Sequence, residues 1–118
     1  MCIIDLIAIA ITPEEQARGL KDVPALPPNA GMLFVYESAE PRRFWMDRTS
    51  IPLDIAFADA DGIIIKIKTM VPNSRAPVSS GGPCAFALEV PAGLFARCGV
   101  IPGQRMRLAP DVPRVVIE

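Results

Sequence analysis

Short runs of apolar residues that alternate with polar or small ones recur along the chain, and this pattern predicts β-strands. The first run, residues 3–11, is rich in isoleucine and is typical of a strand buried on both sides. The clearest pattern lies in residues 53–69, where two alternating runs flank a turn at 59–62. Because Gly62 adopts a positive φ at no steric cost, these residues predict a β-hairpin.

Turn-forming residues divide the rest of the chain into short segments. Strands are also predicted at 31–36, 42–47, 84–90, 104–108 and 114–117. A capping box at Thr12–Glu15 predicts a helix that ends at Gly19, and a second short helix is predicted from Pro91 to Gly99. Residues 71–83, rich in proline, serine and glycine, are predicted to form a long polar loop.

The balance of these elements decides the fold class. About eight short strands and two helical segments fit in 118 residues, which is the length of one domain, so a single domain over residues 1–118 is expected. Strands at this spacing predict a mainly β fold, an antiparallel β-sandwich or barrel of the jelly-roll type. With 51% hydrophobic residues, the chain can fill the core of such a fold.

Charge and the absence of histidine restrict the chemistry. Lys and Arg total 12 and Asp and Glu total 13, so the net charge is −1 and no broad positive field attracts nucleic acid or an anionic membrane. The lack of histidine excludes Ser-His-Asp and Cys-His triads and every metal site that needs imidazole. No apolar run approaches the roughly 20 residues of a membrane span. We therefore expect no metal, no cofactor, no nucleic-acid partner and no membrane insertion.

The three cysteines, Cys2, Cys84 and Cys98, are odd in number and far apart in sequence. Without a C-x-x-C pair they predict buried free thiols, as in a reducing compartment. The first residues lack the positive charge of a signal peptide. From this chain alone a cytoplasmic location is expected, while an envelope or periplasmic location stays open if a leader has been removed.

The single tryptophan lies in an apolar run that also carries charge. If Phe44 and Met46 point into the core, strand alternation places Arg43, Trp45 and Asp47 on the opposite face. A partly exposed tryptophan beside an arginine can stack on a sugar, a base or another planar ligand. The alternative is a structural tryptophan that seals one end of the barrel, with its indole N–H bonded to a loop carbonyl.

Two acids, Asp54 and Glu89, alternate with apolar residues in their predicted strands. Asp54 is either exposed or held in the interior by Thr49, Arg43 or backbone N–H groups. Glu89, between Leu88 and Val90, is likewise either exposed or held in the interior. If the two side chains converged across the sheet, they would form a carboxylate pair of the kind that performs acid–base chemistry or binds hard cations.

The string Phe44–Ile55, FWMDRTSIPLDI, resembles the signature F-W-M-K-N-T-x-I-P-L-D-I of the Domain of Unknown Function 192 family. Other segments match it in the same order: Thr12–Glu15, Arg18–Leu20, Gly31–Phe34, Asp61–Gly62, Leu88–Gly93 and Gly99–Gly103. The resemblance covers most of the chain and implies a compact, mainly β fold like a jelly roll or barrel, but no reaction. This chain departs from the pattern at Asp47-Arg48, where the family has Lys-Asn, and at Lys21, where it has methionine.

These observations favour a non-enzymatic module that binds a small ligand or a protein, and they leave the oligomeric state open. The candidate ligand-binding residues are Arg43, Trp45, Thr49, Asp54 and Glu89. The 71–83 loop is a candidate lid over them. One alternative is a hydrolase that acts on glycans with carboxylates alone, Asp54 and Glu89 serving as acid and base. Another is a structural protein that adds a partner's strand at the edge of its sheet.

Overall fold

The computed structural model describes all residues, 1–118, and contains seven strands and two short helices. The strands are β1 (Cys2–Ala10), β2 (Ala30–Phe44), β3 (Leu53–Ala58), β4 (Ile64–Met70), β5 (Val78–Pro91), β6 (Met106–Leu108) and β7 (Arg114–Ile117). The helices are α1 (Pro13–Arg18) and α2 (Leu94–Cys98). With six and five residues, neither helix has the length that crossing a membrane requires.

All seven strands belong to one sheet, in the order β4-β3-β5-β2-β1-β7-β6. The sheet curls into a half-barrel, and a single bridge between Ile63 and Arg105 joins its two edges at one end. The prediction of a mainly β single domain with two short helices is therefore confirmed. Every strand pair is antiparallel except β1–β2, which run parallel because α1 and the following loop carry the chain back to the start of the sheet.

Helix α1 forms where the capping signal predicts it. The Thr12 hydroxyl accepts a hydrogen bond from the backbone N–H of Glu15 at 3.1 Å, and the Glu15 carboxylate accepts one from the N–H of Thr12 at 2.9 Å. These reciprocal bonds satisfy backbone donors that a helix start otherwise leaves free. The helix ends at Gly19, whose φ of 51° lies in the region that favours glycine.

Two predicted segments differ from the structure. The strands expected at 31–36 and 42–47 form one long strand, β2, with irregular register in its second half. The polar loop expected at 71–83 ends at residue 77, because residues 78–83 pair with the end of β2 as the first part of β5. The Ser80 hydroxyl supports this pairing, since it accepts from the N–H of Arg42 at 2.8 Å and donates to a neighbouring carbonyl. The prediction that residues 71–83 form a free lid is therefore wrong.

The sheet buries apolar side chains on both of its faces. The face that carries Leu33, Ala56, Leu88 and Val90 is called the first face. It is covered by α2 and by the curl of β6 and β7. The second face carries Met32, Phe34, Ile55, Phe57 and Ala87. It is covered by two connecting segments, which contribute Leu20, Val23, Leu26, Met46 and Ile51. Residues on the central strands are therefore enclosed whichever way they point.

Cys2 and Cys98 form a disulfide, with their Cα atoms 5.5 Å apart, so the prediction of free thiols is wrong for these two residues. Cys84 is free and buried. The two bonded cysteines are separated by 96 positions, and the fold brings them together by placing α2 beside β1. The bond therefore ties the first strand of the sheet to the second helix.

Reduction of this disulfide is expected to lower the free energy of unfolding by about 4 kcal/mol, because the bond closes a loop of roughly 100 residues in the unfolded chain. Guanidinium unfolding with and without a reductant measures the change. The Cys98→Ser variant should unfold like the reduced protein, whereas Cys84→Ala should keep its response to the reductant. Equal unfolding midpoints of the wild-type protein under both conditions would contradict the expectation.

Candidate functional site

Trp45 lies directly after β2, and its indole is 53% exposed. Its neighbours Phe44 and Met46 are buried on the second face, at 8% and 1% exposure. The alternation predicted for this segment thus places two apolar side chains in the core and turns the indole outward. An indole with half of its surface in solvent does not seal the end of a barrel.

The indole lines an open hollow of about 410 Å³ together with Lys21, Asp47 and Arg75. The Lys21 Nζ donates to the Asp47 carbonyl oxygen at 2.9 Å and lies 4.0 Å from the Asp47 Oδ2. On the other side, the Arg75 Nε lies 3.5 Å from the Asp47 Oδ1. The hollow beside Trp45 therefore presents an aromatic plane, one carboxylate and two cations.

Backbone hydrogen bonds around Thr49 fix the loop that carries these groups. The Thr49 N–H donates to the Met46 carbonyl at 3.0 Å, and the Thr49 carbonyl accepts from the Asn73 N–H at 2.9 Å. The second bond connects this loop to the segment that holds Arg75. Thr49 itself is only 4% exposed. Its place is therefore under the loop and not in the wall of the hollow.

The arginines near Trp45 face different partners. Arg43 lies two residues before Trp45 on the same outward side, is exposed and takes part in no ion pair. The Arg42 guanidinium lies 4.0 Å above the ring of Tyr36 instead. Arg48 pairs with Asp22 across 2.6 Å. Arg43 is thus the one arginine of the three with no ion pair or ring contact, and it does not line the hollow beside Trp45.

Asp54 is held inside the protein by the backbone. It is 9% exposed, and its Oδ2 accepts a hydrogen bond from the N–H of Gly93 at 2.9 Å. Gly93 is the residue before α2, and this helix has no side-chain cap of its own. The Asp54 carboxylate therefore fixes the direction of the chain between β5 and α2, which is a structural role.

Glu89 is buried without a partner for its charge. It lies on the second face, opposite Met32 on β2 and Ile55 on β3, and is 4% exposed. Burial raises the pKa of Glu89 to about 8, and only the nearby charge of Lys21 opposes the shift. The carboxyl group is consequently mostly protonated at neutral pH.

The register of β3 and β5 separates the two acids. Asp54 is paired with Val90, whereas Glu89 is paired with Ile55, one position along the strand. Since successive residues of a strand point to opposite faces, Asp54 lies on the first face and Glu89 on the second. The predicted carboxylate pair does not form, and a hydrolase that uses these acids together is contradicted.

Of the five residues predicted for the site, only Arg43 and Trp45 are exposed, and only Trp45 lines the hollow. Lys21 and Arg75 were not predicted, because they lie 24 and 30 positions from Trp45 in the sequence and belong to no motif. The sequence did contain one indication of Lys21, its departure from the family pattern. The two departures from the family pattern, at 21 and 47, contact each other in the structure, so they change the charges of the same hollow.

The comparisons with known proteins agree with the resemblance read from the sequence. The model of the Domain of Unknown Function 192 family, described as an uncharacterised ACR, matches residues 4–108. The chain belongs to this family. None of the curated proteins matches it.

The chain is similar to two solved structures. A protein from Sinorhizobium meliloti 1021, described as a candidate transcription regulator, is 36% identical, with a TM-score of 0.82 over 87% of each chain. A protein of unknown function from Novosphingobium aromaticivorans DSM 12444 is 37% identical, with a TM-score of 0.79 over 83% of this chain and 71% of its own. These likenesses support the fold and carry no assigned reaction.

The buried Glu89 makes the stability of the protein depend on pH. Its pKa rises from 4.5 in the unfolded chain to about 8 in the folded protein, so the folded protein retains a proton that the unfolded chain releases. The stability that protonated Glu89 contributes to the folded protein is therefore fully present below pH 4.5 and is lost as the pH rises through about 8. We expect the free energy of unfolding to fall by up to about 1.4 kcal/mol for each pH unit in that window.

The Glu89→Gln variant should lack this decline and should be more stable than the wild-type protein at pH 9. Urea unfolding between pH 4 and pH 9 provides the measurement. Asp111→Asn, a change of an exposed carboxylate, should leave the decline in place. Parallel pH profiles of Glu89→Gln and wild type would show that Glu89 is not the group responsible.

Proposed function

We propose that this protein binds a small ligand in the hollow beside Trp45, and that the ligand carries a sugar or planar ring together with a negative charge. The observation that supports this proposal most strongly is the half-exposed indole itself, set among polar groups that contact each other. The proposal keeps Arg43 and Trp45 from the sequence prediction and adds Lys21, Asp47 and Arg75.

The indole supplies the surface on which a ring would rest. Aromatic side chains bind the faces of planar rings and sugars because they combine a large apolar area with few rotatable bonds. Phe44 and Met46, buried on either side in sequence, anchor the Trp45 backbone in the core. The aromatic plane is thus held in place before a ligand arrives, which reduces the entropy lost on binding.

The charges around the indole select the ligand. Lys21 and Arg75 bring two positive charges to the hollow, against one negative charge on Asp47. The exposed Arg43, two residues before Trp45, is proposed to add a third. An ammonium or guanidinium group has more N–H donors than the contacts to Asp47 use, so donors remain for a ligand. Asp47 can accept hydrogen bonds from hydroxyl groups. This combination favours a ring that bears both hydroxyl groups and an anionic group.

A protein or nucleic-acid partner is supported less well. The hollow has four lining residues, whereas a standard protein interface buries about 800 Å² on each partner. The balanced charge of the whole chain, 12 basic against 13 acidic residues, gives no reason to carry over the transcription role suggested for the Sinorhizobium meliloti protein. A small ligand therefore fits the dimensions and charge of this surface better.

We also propose that the protein works in an oxidising compartment, in place of the cytoplasmic location expected from the sequence. The disulfide between Cys2 and Cys98 supports this location. Such bonds persist in secreted and periplasmic proteins and are rare in the reducing cytosol. The unfolding experiment with reductant described above measures how much the folded protein depends on that environment.

The fluorescence of Trp45 tests the proposed ligand class, because this residue is the only tryptophan of the chain. Titration with glucuronate and benzoate, two anionic rings, should change the emission in a saturable way. Glucose and glucosamine should bind at least about fivefold more weakly, because they lack the negative charge. The absence of a saturable change with all four compounds up to about 10 mM would contradict the proposal.

The Trp45→Ala variant should bind glucuronate about tenfold more weakly, since one aromatic contact is worth roughly 1.4 kcal/mol. Calorimetry or ligand-observed NMR measures this affinity without the indole. Ile101→Ala, which truncates an equally exposed apolar residue outside the hollow, should retain the affinity. Both variants should fold with wild-type stability within about 0.5 kcal/mol. Unchanged affinity in a well-folded Trp45→Ala protein would refute the role of the indole.

A further inference from the structure

A second hollow opens on the first face of the sheet and shares no residue with the hollow beside Trp45. We call it the edge cleft. Its volume is about 180 Å³. Its floor consists of the side chains of Leu33, Phe86, Met106 and Val115, all part of the core on that face or packed against it. Leu108, which is 47% exposed, forms one wall. The edge cleft is therefore an apolar space that the chain itself does not fill.

The edge cleft lies where the two edges of the sheet meet, and its rim is held firmly. The Met106 N–H donates to the Gly62 carbonyl at 2.8 Å. The Arg105 Nε donates to the Asp61 carbonyl at 2.9 Å. Gly62 has a φ of 82°, and a Cβ at this position would collide with the Met106 carbonyl, so only glycine permits this approach. The rim is thus formed before any ligand binds.

The charges at this rim are mainly positive. Arg105 and Arg107 both line the edge cleft, and Asp61 is the single acid among its lining residues. Arg105 uses its Nε on the backbone, which leaves its terminal nitrogens free. Arg107 contacts only Glu118, at 3.4 Å, and both side chains of this pair are about half exposed. Such surface pairs contribute little stability, so another carboxylate can replace Glu118 at low cost.

From the apolar floor and the arginine rim, we propose that the edge cleft binds a small organic anion with a hydrocarbon body of about six to eight carbons and one carboxylate, which Arg107 receives. The size follows from the volume, since an apolar cavity of about 150 Å³ holds benzene. The head group follows from the guanidinium, whose planar donors match a carboxylate. This site is independent of the ligand proposed for Trp45.

Three compounds that share the same hydrocarbon chain but differ in their head groups test the proposal: octanoate, octanol and octylamine. Each is titrated into the wild-type protein while the amide NMR signals of Met106 and Leu108 are followed. Octanoate should shift both signals in a saturable way, with an affinity about tenfold higher than that of octanol and higher still than that of octylamine. The indole signal of Trp45 should not move.

Two variants separate the head-group contact from the hydrocarbon contact. Arg107→Gln should weaken octanoate binding about tenfold and leave octanol binding unchanged, whereas Glu118→Gln should strengthen octanoate binding about twofold because it frees Arg107. Arg97→Gln, an exposed change outside the edge cleft, serves as the matched control and should bind like the wild type. The proposal would be overturned by equal affinities for the three compounds or by shifts that do not saturate. It would also be overturned if neither Arg107→Gln nor Glu118→Gln changed the affinity for octanoate.

Discussion

The register of β5 against its two neighbours is the constraint on which the rest of the structure depends. This strand pairs with β2 on one side and with β3 on the other, at the centre of the sheet. Because side chains alternate between faces, a slip of one residue would exchange every position of a strand between the two sides of the sheet. The observed register places Leu88 and Val90 on the first face and Ala87 on the second, where their neighbours are apolar.

The same register decides what the two acids of the core can do. On the first face the Asp54 carboxylate accepts a hydrogen bond from the Gly93 N–H, whereas on the second face the Glu89 carboxyl group has no hydrogen-bond donor beside it. One carboxylate is therefore used to fix a chain turn, and the other stays protonated until the solution becomes alkaline. The Glu89 carboxyl group is thus mostly neutral at neutral pH, and the Asp54 carboxylate is engaged by the backbone of Gly93. The two ligand sites that we propose lie instead at the surface, in the hollow beside Trp45 and in the edge cleft.

Local signals in the sequence were enough to predict local structure. The hairpin of β3 and β4 follows from two apolar runs on either side of a glycine turn, and α1 follows from the capping box of Thr12 and Glu15. The outward position of Trp45 was also predictable, because buried apolar residues flank it on both sides. Each of these features depends on residues only a few positions apart.

Features that depend on distant parts of the chain could not be predicted in this way. Residues 78–83 have the composition of a loop, and only pairing with the end of β2 makes them a strand. The partner of Cys2 lies 96 positions away, and Lys21 reaches Asp47 only after the chain has folded over the second face. A single sequence contains no spacing rule for contacts of this range. The wall of the hollow beside Trp45 therefore became visible only in the structure.

The most direct measurement of the central claim is a set of nuclear Overhauser contacts between the side chains of β3 and β5 in solution. We predict contacts of the Ile55 side chain with that of Glu89 and of the Asp54 side chain with that of Val90, and none between the side chains of Asp54 and Glu89. Contacts between the two acids would mean that they share a face. That result would contradict the register and restore the carboxylate pair as a candidate site.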